Sequence, residues 1–103
     1  MTQFTPQQFV SELDAMLAML GKLVACESPS FDKPALDRVA ELIAELLADL
    51  NPQIDWDRQA DTGDNLIAHW PGAKGQSTGG ILLVCHHDTV HPIGGLAANP
   101  VRI

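Results

Sequence analysis

His86 and Asp88, which are separated by one residue, are the pair in this sequence whose types and spacing best suit metal binding. They follow an apolar run, residues 81–84, which predicts a short strand buried on both faces, as inside a parallel sheet. Alternate side chains of an extended chain share a face, so His86 and Asp88 are expected to point the same way. An imidazole can bind a metal through one nitrogen while a carboxylate holds the other N–H. The pair is therefore a candidate metal site at the end of a strand.

Other interpretations of this segment stay open. A His and an Asp at a strand end can simply hydrogen-bond to each other or cap the next loop. Cys85, His87 and His91 are further ligand types nearby, but on a strand Cys85 and His87 face away from His86. At most His91 would join one side, and two ligands hold zinc poorly. The sequence therefore predicts one good ligand, not a self-contained zinc site.

The run GGILLVCHHDTVHPIG resembles the first metal-binding motif of the cocatalytic zinc metallopeptidases of the aminoacylase and carboxypeptidase family. The flanks GDNLIAHWPG and PIGGLAANPVRI are similar to those of the glutamate carboxypeptidase branch. The resemblance implies that His86 is a zinc ligand and that Asp88 is the catalytic-site aspartate that orients its imidazole. Cys85 departs from the small residue usual in the family. A different family of dizinc aminopeptidases also uses H-x-D after a strand, but Thr89, Val90 and the first flank favour the family named here.

By this resemblance the parent protein would be a zinc-dependent hydrolase of amide bonds. It would be a carboxypeptidase or deacylase that acts on peptidyl or N-acyl amino acids, with a C-terminal glutamate as one option. A complete member holds two Zn²⁺ ions per active site, and a homodimer is one option for the parent protein. The family's bridging aspartate, glutamate base and remaining ligands lie downstream of the matched region, and no Asp or Glu occurs between Thr89 and Ile103. We therefore expect residues 1–103 to be the N-terminal portion of the catalytic domain, inactive alone.

The alternative function is a non-catalytic α/β module that binds a partner chain. An unfinished sheet leaves a strand edge and helix faces uncovered, and such surfaces favour association with another chain. This alternative rests on the missing carboxylates rather than on any motif.

Composition restricts the partners. Thirteen acidic and six basic residues give a formal net charge of −7, without a Lys/Arg cluster, which argues against nucleic acid or an anionic membrane as a partner. The two cysteines, Cys26 and Cys85, fit neither a disulfide framework nor a C-x-x-C zinc clip. The N-terminus has no basic region and no apolar run approaches ~20 residues, so we expect neither a signal peptide nor a membrane span. These features predict a cytoplasmic protein.

Two amphipathic helices are predicted upstream of the metal motif. Thr5, Pro6 and Gln8 form a capping box with proline at the first helical position. Asp32 is the expected N-cap of the second helix, which Asn51 and Pro52 should end. The apolar stripe of the first helix comprises Phe9, Val10, Leu13, Met16, Leu17, Leu20, Leu23 and Val24, and that of the second Leu36, Val39, Ala40, Ile43, Leu46, Leu47 and Leu50.

A β-hairpin is predicted next, from alternating residues 53–59, a turn over 60–64 and a second strand over 65–70. His69 in that strand is expected to be a cross-strand or surface residue rather than a ligand. The glycine-rich residues 71–80 are expected to form a plain connector. The chain thus predicts an α/β fold, an incomplete three-layer zinc-peptidase-like catalytic domain of two helices, a hairpin and a buried strand that ends in the metal motif.

Overall fold

The computed structural model describes residues 3–72 and 79–102 of the chain, so most of the predicted connector at 71–80 lies outside the described residues. The elements are helices α1 (Pro6–Ser11), α2 (Leu13–Ala25), α3 (Lys33–Leu47) and α4 (Gly95–Ala98), a 3₁₀ turn (Ala48–Leu50), and strands β1 (Gln53–Asp57) and β2 (Asn65–His69). This mixture of helices and strands confirms the α/β class. None of the described helices combines the length and apolarity needed to cross a membrane.

The N-terminal helix begins as predicted but is interrupted. Thr5 is the N-cap, and its backbone N–H donates to Gln8 Oε1 at 2.7 Å, as a capping box requires. The predicted single helix is wrong at Glu12, where φ −93° and ψ 0° separate α1 from α2. Because Met16 N–H still donates to the Glu12 carbonyl at 2.9 Å, the two helices follow one another almost directly.

The prediction that this N-terminal helix buries its apolar stripe is also wrong. Neither α1 nor α2 contains a buried residue. An amphipathic stripe is buried only where a second element lies against it, and α3 covers α2 only in part. Leu17 and Leu23 are half-buried. The other six of the eight stripe residues are 42% to 61% exposed: Phe9, Val10, Leu13, Met16, Leu20 and Val24.

Helix α3 carries the core of the described chain. Asp32 caps it as predicted, since its side chain accepts the Ala35 N–H at 2.9 Å. Helix α3 contacts both α2 and β2. The helical path ends at Asn51, whose left-handed φ of 51° turns the chain toward β1. The buried apolar residues are Ala35, Leu36, Val39 and Ala40, all on α3.

Strands β1 and β2 form the predicted antiparallel hairpin. Gln53 pairs with His69 at one end and Asp57 with Asn65 at the other. Half-buried and exposed residues alternate along both strands, as expected for a hairpin with one face on a helix. His69 is exposed and its Nδ1 lies 3.4 Å from Gln53 Oε1, which confirms the cross-strand prediction.

The strand predicted at residues 81–84 is not buried. Ile81, Leu82, Leu83 and Val84 are 84% to 92% exposed, and no described residue pairs with them as a strand. A doubly buried strand needs a neighbouring strand on each edge and a layer on each face. The described part of the chain supplies only the β1–β2 hairpin, which pairs with itself, so the apolar run lacks the elements that would cover it.

Candidate metal centre

His86 and Asp88 lie together as the sequence predicts. His86 Nδ1 is 2.9 Å from Asp88 Oδ1 and 3.0 Å from the Asp88 backbone oxygen. Both oxygens are acceptors, so Nδ1 carries the proton that it donates to them. In the neutral ring Nε2 then has the free lone pair, which is the atom a metal would bind.

The imidazole is open to solvent while its partner is partly covered. The His86 side chain is 86% exposed and that of Asp88 is 40% exposed. A hydrogen bond from Ser30, and next a hydrogen bond from His86, lower the pKa of the Asp88 carboxyl from its ordinary value. Asp88 therefore stays ionised at neutral pH and can accept the Nδ1 proton.

A loop between α2 and α3 holds the His-x-Asp segment in place. Thr89 N–H donates to the Ser28 carbonyl at 2.8 Å, and Ser30 N–H donates to the Thr89 carbonyl at 3.0 Å. These bonds form a parallel bridge between Pro29 and Thr89. Ser28 Oγ adds a bond to the His87 carbonyl at 2.8 Å. The segment is thus fixed by hydrogen bonds to this loop although the apolar run before it is unpaired.

Ser30 also contacts the His86–Asp88 pair directly. Its Oγ lies 2.6 Å from Asp88 Oδ2 and 3.1 Å from the Thr89 carbonyl. The Asp88 carboxylate therefore has one oxygen on Ser30 and the other on His86. The sequence analysis gave no role to Ser30. No local pattern reveals that contact, because the partners lie 58 positions apart.

Glu27 fixes the chain on the far side of the site. Its carboxylate accepts the Gly94 N–H at 2.9 Å and the Leu96 N–H at 2.8 Å, just where α4 begins. These backbone bonds, that from Gly94 first, lower the pKa of Glu27. The chain that follows His86 is therefore anchored to the same loop at two places, His87–Thr89 and Gly94–Leu96.

An ionic cluster around one buried carboxylate positions the hairpin turn beside the site. Asp64, only 3% exposed, binds Lys33 Nζ at 2.7 Å, Arg58 Nη1 at 2.7 Å and the Gln59 N–H at 2.8 Å. Its own N–H donates to Asp37 Oδ1 at 2.8 Å. Sequence reasoning assigned residues 60–64 only as a turn. The sequence feature that could have indicated the ionic cluster is a carboxylate-rich turn in a chain with just six basic residues.

An open groove runs between this turn and the His86–Asp88 pair. Its volume is about 320 Å³, the lower end of the range for small-ligand pockets. The groove is polar as well as apolar, and His86 lies on its wall. Its lining residues are Ser30, Leu36, Thr62, Gly63, Asn65, Cys85, His86, His87 and Asp88.

The structure does not gather a full set of metal ligands. Within residues 3–72 and 79–102, no three or more His, Cys, Asp or Glu side chains form a group that could hold a metal. The other nine residues include none of these four types. Among the residues present, His86 fits zinc as one ligand and Asp88 fits as the carboxylate that orients it.

Comparison with protein-family models, curated proteins and solved structures finds no match for this chain.

Proposed function

We propose that this chain supplies the first zinc ligand of a zinc-dependent amide hydrolase, a carboxypeptidase or deacylase for peptidyl or N-acyl amino acids. The observation that carries the proposal is the His86–Asp88 contact at 2.9 Å, which leaves Nε2 free in an exposed ring. The sequence resemblance to the zinc metallopeptidases supports the same role. It also supports the finer fold, in which residues 81–84 complete a sheet of a three-layer catalytic domain.

In this proposal His86 holds zinc through Nε2, and Asp88 keeps the ring in the required tautomer. The remaining ligands, the bridging carboxylate and the general base come from segments outside these 103 residues. Bound zinc would supply an activated water and polarise the scissile carbonyl. The anchored loop at residues 28–30 keeps the pair in place while the groove beside it admits substrate. We propose a cytoplasmic location, which the free thiols of Cys26 and Cys85 support.

The first experiment is a Zn²⁺ titration of the 103-residue chain, followed through the ring resonances of its histidines by NMR. We expect binding weaker than micromolar, with the largest shifts at His86, because one imidazole is an incomplete site. His86→Ala should abolish the specific shifts. His69→Ala is the matched control, because its ring is also exposed and lies near a side-chain oxygen but has no carboxylate partner.

Equal responses at His69 and His86 would contradict the proposal. Binding tighter than micromolar would show that this chain completes its own zinc site. In the longer polypeptide that we propose, His86→Ala should abolish zinc-dependent hydrolysis of an N-acyl glutamate, and His69→Ala should leave it unchanged.

A second candidate function is favoured by the surface. The apolar faces of residues 81–84 and of α1–α2 are exposed, as in a non-catalytic module that binds a partner chain. In that case zinc would bind no better to the native chain than to His86→Ala. A monomer without accessible apolar surface would count against this second candidate.

A further inference from the structure

We infer that Ser30 is a positioning residue of the candidate metal centre, acting on His86 through Asp88. The inference rests on the proposed function, because it assigns Ser30 a part in preparing the zinc ligand. It is carried by a continuous chain of contacts, Ser30 Oγ to Asp88 Oδ2 at 2.6 Å and Asp88 Oδ1 to His86 Nδ1 at 2.9 Å.

The Ser30 hydroxyl forms its hydrogen bond to the Asp88 carboxylate rather than to a backbone carbonyl. Ser30 Oγ has two acceptors within reach, Asp88 Oδ2 at 2.6 Å and the Thr89 carbonyl at 3.1 Å. The Thr89 carbonyl already accepts the Ser30 backbone N–H at 3.0 Å. A hydroxyl has one proton, and the ionised acceptor at the shorter distance makes the stronger bond. Ser30 therefore donates to Asp88.

This bond fixes the orientation of the carboxylate. A carboxylate held by one oxygen can rotate about its terminal torsion, which is broad and soft. With Oδ2 on Ser30 and Oδ1 on His86, the Asp88 carboxylate is held at two points. The His86 ring then has a fixed acceptor for its Nδ1 proton, and Nε2 keeps the lone pair. Loss of the Ser30 hydroxyl frees Asp88 to turn toward solvent, to which its side chain is 40% exposed.

Ser28 offers a matched comparison within the same loop. Its Oγ donates to the His87 carbonyl at 2.8 Å, so it holds the same segment, but it makes no hydrogen bond to Asp88. A role that consists only in holding the segment would make Ser28→Ala and Ser30→Ala equivalent. A role through the carboxylate makes Ser30→Ala the more damaging change at His86.

The test measures the His86 tautomer by its ring ¹⁵N shifts in the metal-free 103-residue chain, at a pH where the ring is neutral. Ser30→Ala should lower the fraction with Nδ1 protonated, Ser30→Thr should restore it, and Ser28→Ala should change it less. Zn²⁺ affinity should fall about 10-fold in Ser30→Ala, the lower end of the usual loss when an outer partner of a ligand is removed. That loss should vanish in an Asp88→Ala background, because both changes break one chain of contacts.

An unchanged tautomer in Ser30→Ala, equal effects of the two serine changes, or additive losses with Asp88→Ala would overturn the inference. The tautomer is read without metal, so this result stands apart from the proposed function. The proposed function fails instead if His69→Ala and His86→Ala change Zn²⁺ binding equally.

Discussion

Asp64 is the one carboxylate that the described chain buries, and its partners explain why it remains charged. Lys33 contributes most, followed by the Gln59 N–H and Arg58, and together they hold the pKa of Asp64 far below its usual range. Asp64 in turn is the main cause of the raised pKa of Lys33. Two of the chain's six basic side chains are used here, which ties the hairpin turn to the start of α3.

Replacing Asp64 by Asn should lower the midpoint of thermal unfolding by several degrees. The amide keeps the size of the carboxylate but cannot neutralise Lys33 and Arg58, and its NH₂ group cannot accept their hydrogens. Asp61→Asn is the control, because Asp61 lies in the same turn but is exposed. Circular dichroism melts of both variants measure the difference, and equal midpoints would refute a stabilising role for the cluster.

The pH dependence of stability provides a second measurement of the same cluster. An unfolded Asp titrates near a pKa of about 3.9, whereas Asp64 keeps its charge in the folded chain to much lower pH. Below about pH 4 the unfolded chain therefore binds more protons than the folded one, so stability falls as the pH falls. Glu27 and Asp88 have lowered pKa values too and contribute to this loss. Asp64→Asn should therefore lose less stability between neutral and acid pH than the native chain.

At the scale of elements, the sequence predicts those parts whose causes are local. The start of α3 is predictable because the Asp32 cap bonds to Ala35, three residues away. The hairpin is predictable from its alternating polar and apolar residues because its two strands are neighbours in sequence. Residues 81–84 and the stripe of α1–α2 were predicted to be buried, yet burial depends on elements that the described chain does not place against them. The His86–Asp88 pair was predictable from its spacing, whereas Ser30 and Asp64 act through contacts between distant segments.

Gly63 shows how closely the hairpin turn approaches α3. A Cβ added to Gly63 would lie 2.5 Å from Leu36 Cβ, a distance that requires one element to shift. Gly63→Ala should therefore destabilise the fold by about 1–3 kcal/mol, as overpacking usually does. It should also disturb the groove beside His86, since both residues line it.

Gly21→Ala is the control for this change. Its added Cβ meets no atom within 4 Å, and the position lies inside α2, where Ala is favoured over Gly by roughly 0.5–1 kcal/mol. Chemical denaturation should show opposite signs for the two substitutions. Destabilisation of similar size in both would mean that contact with Leu36 is not the cause.

At the scale of the whole molecule, the chain exposes more surface than its mass warrants. Its accessible surface is 8538 Å², against roughly 5,700 Å² for a compact protein of 11.1 kDa. Its radius of gyration is 16.3 Å, where about 13 Å is usual for this length. The chain thus buries roughly half of its unfolded surface, less than the ~60% of a compact small domain. The excess area is comparable with that of a large interface.

We expect the isolated chain to bind the apolar dye ANS and to self-associate as its concentration rises. Leu83→Lys should reduce both, because Leu83 is 87% exposed within the apolar run. Leu50→Lys is the control, an exposed leucine that belongs neither to the run nor to the α1–α2 face. Dye fluorescence and light scattering measure the two effects. Equal changes in dye binding and self-association for both substitutions would show that residues 81–84 are not the surface through which the chain associates.

The bridge between Pro29 and Thr89 also bears on the order in which the molecule forms. The side-chain bonds beside it, from Ser30 to Asp88 and from Ser28 to His87, join positions 58 and 59 apart. The His86–Asp88 pair therefore gains its support only when a long loop closes. The entropy lost in closure grows with the logarithm of loop length, and folding of α3 and the hairpin within that loop shortens the free chain beforehand. We therefore expect His86 to acquire its native surroundings late, after α3 and the hairpin, which lie between Ser30 and His87, have folded.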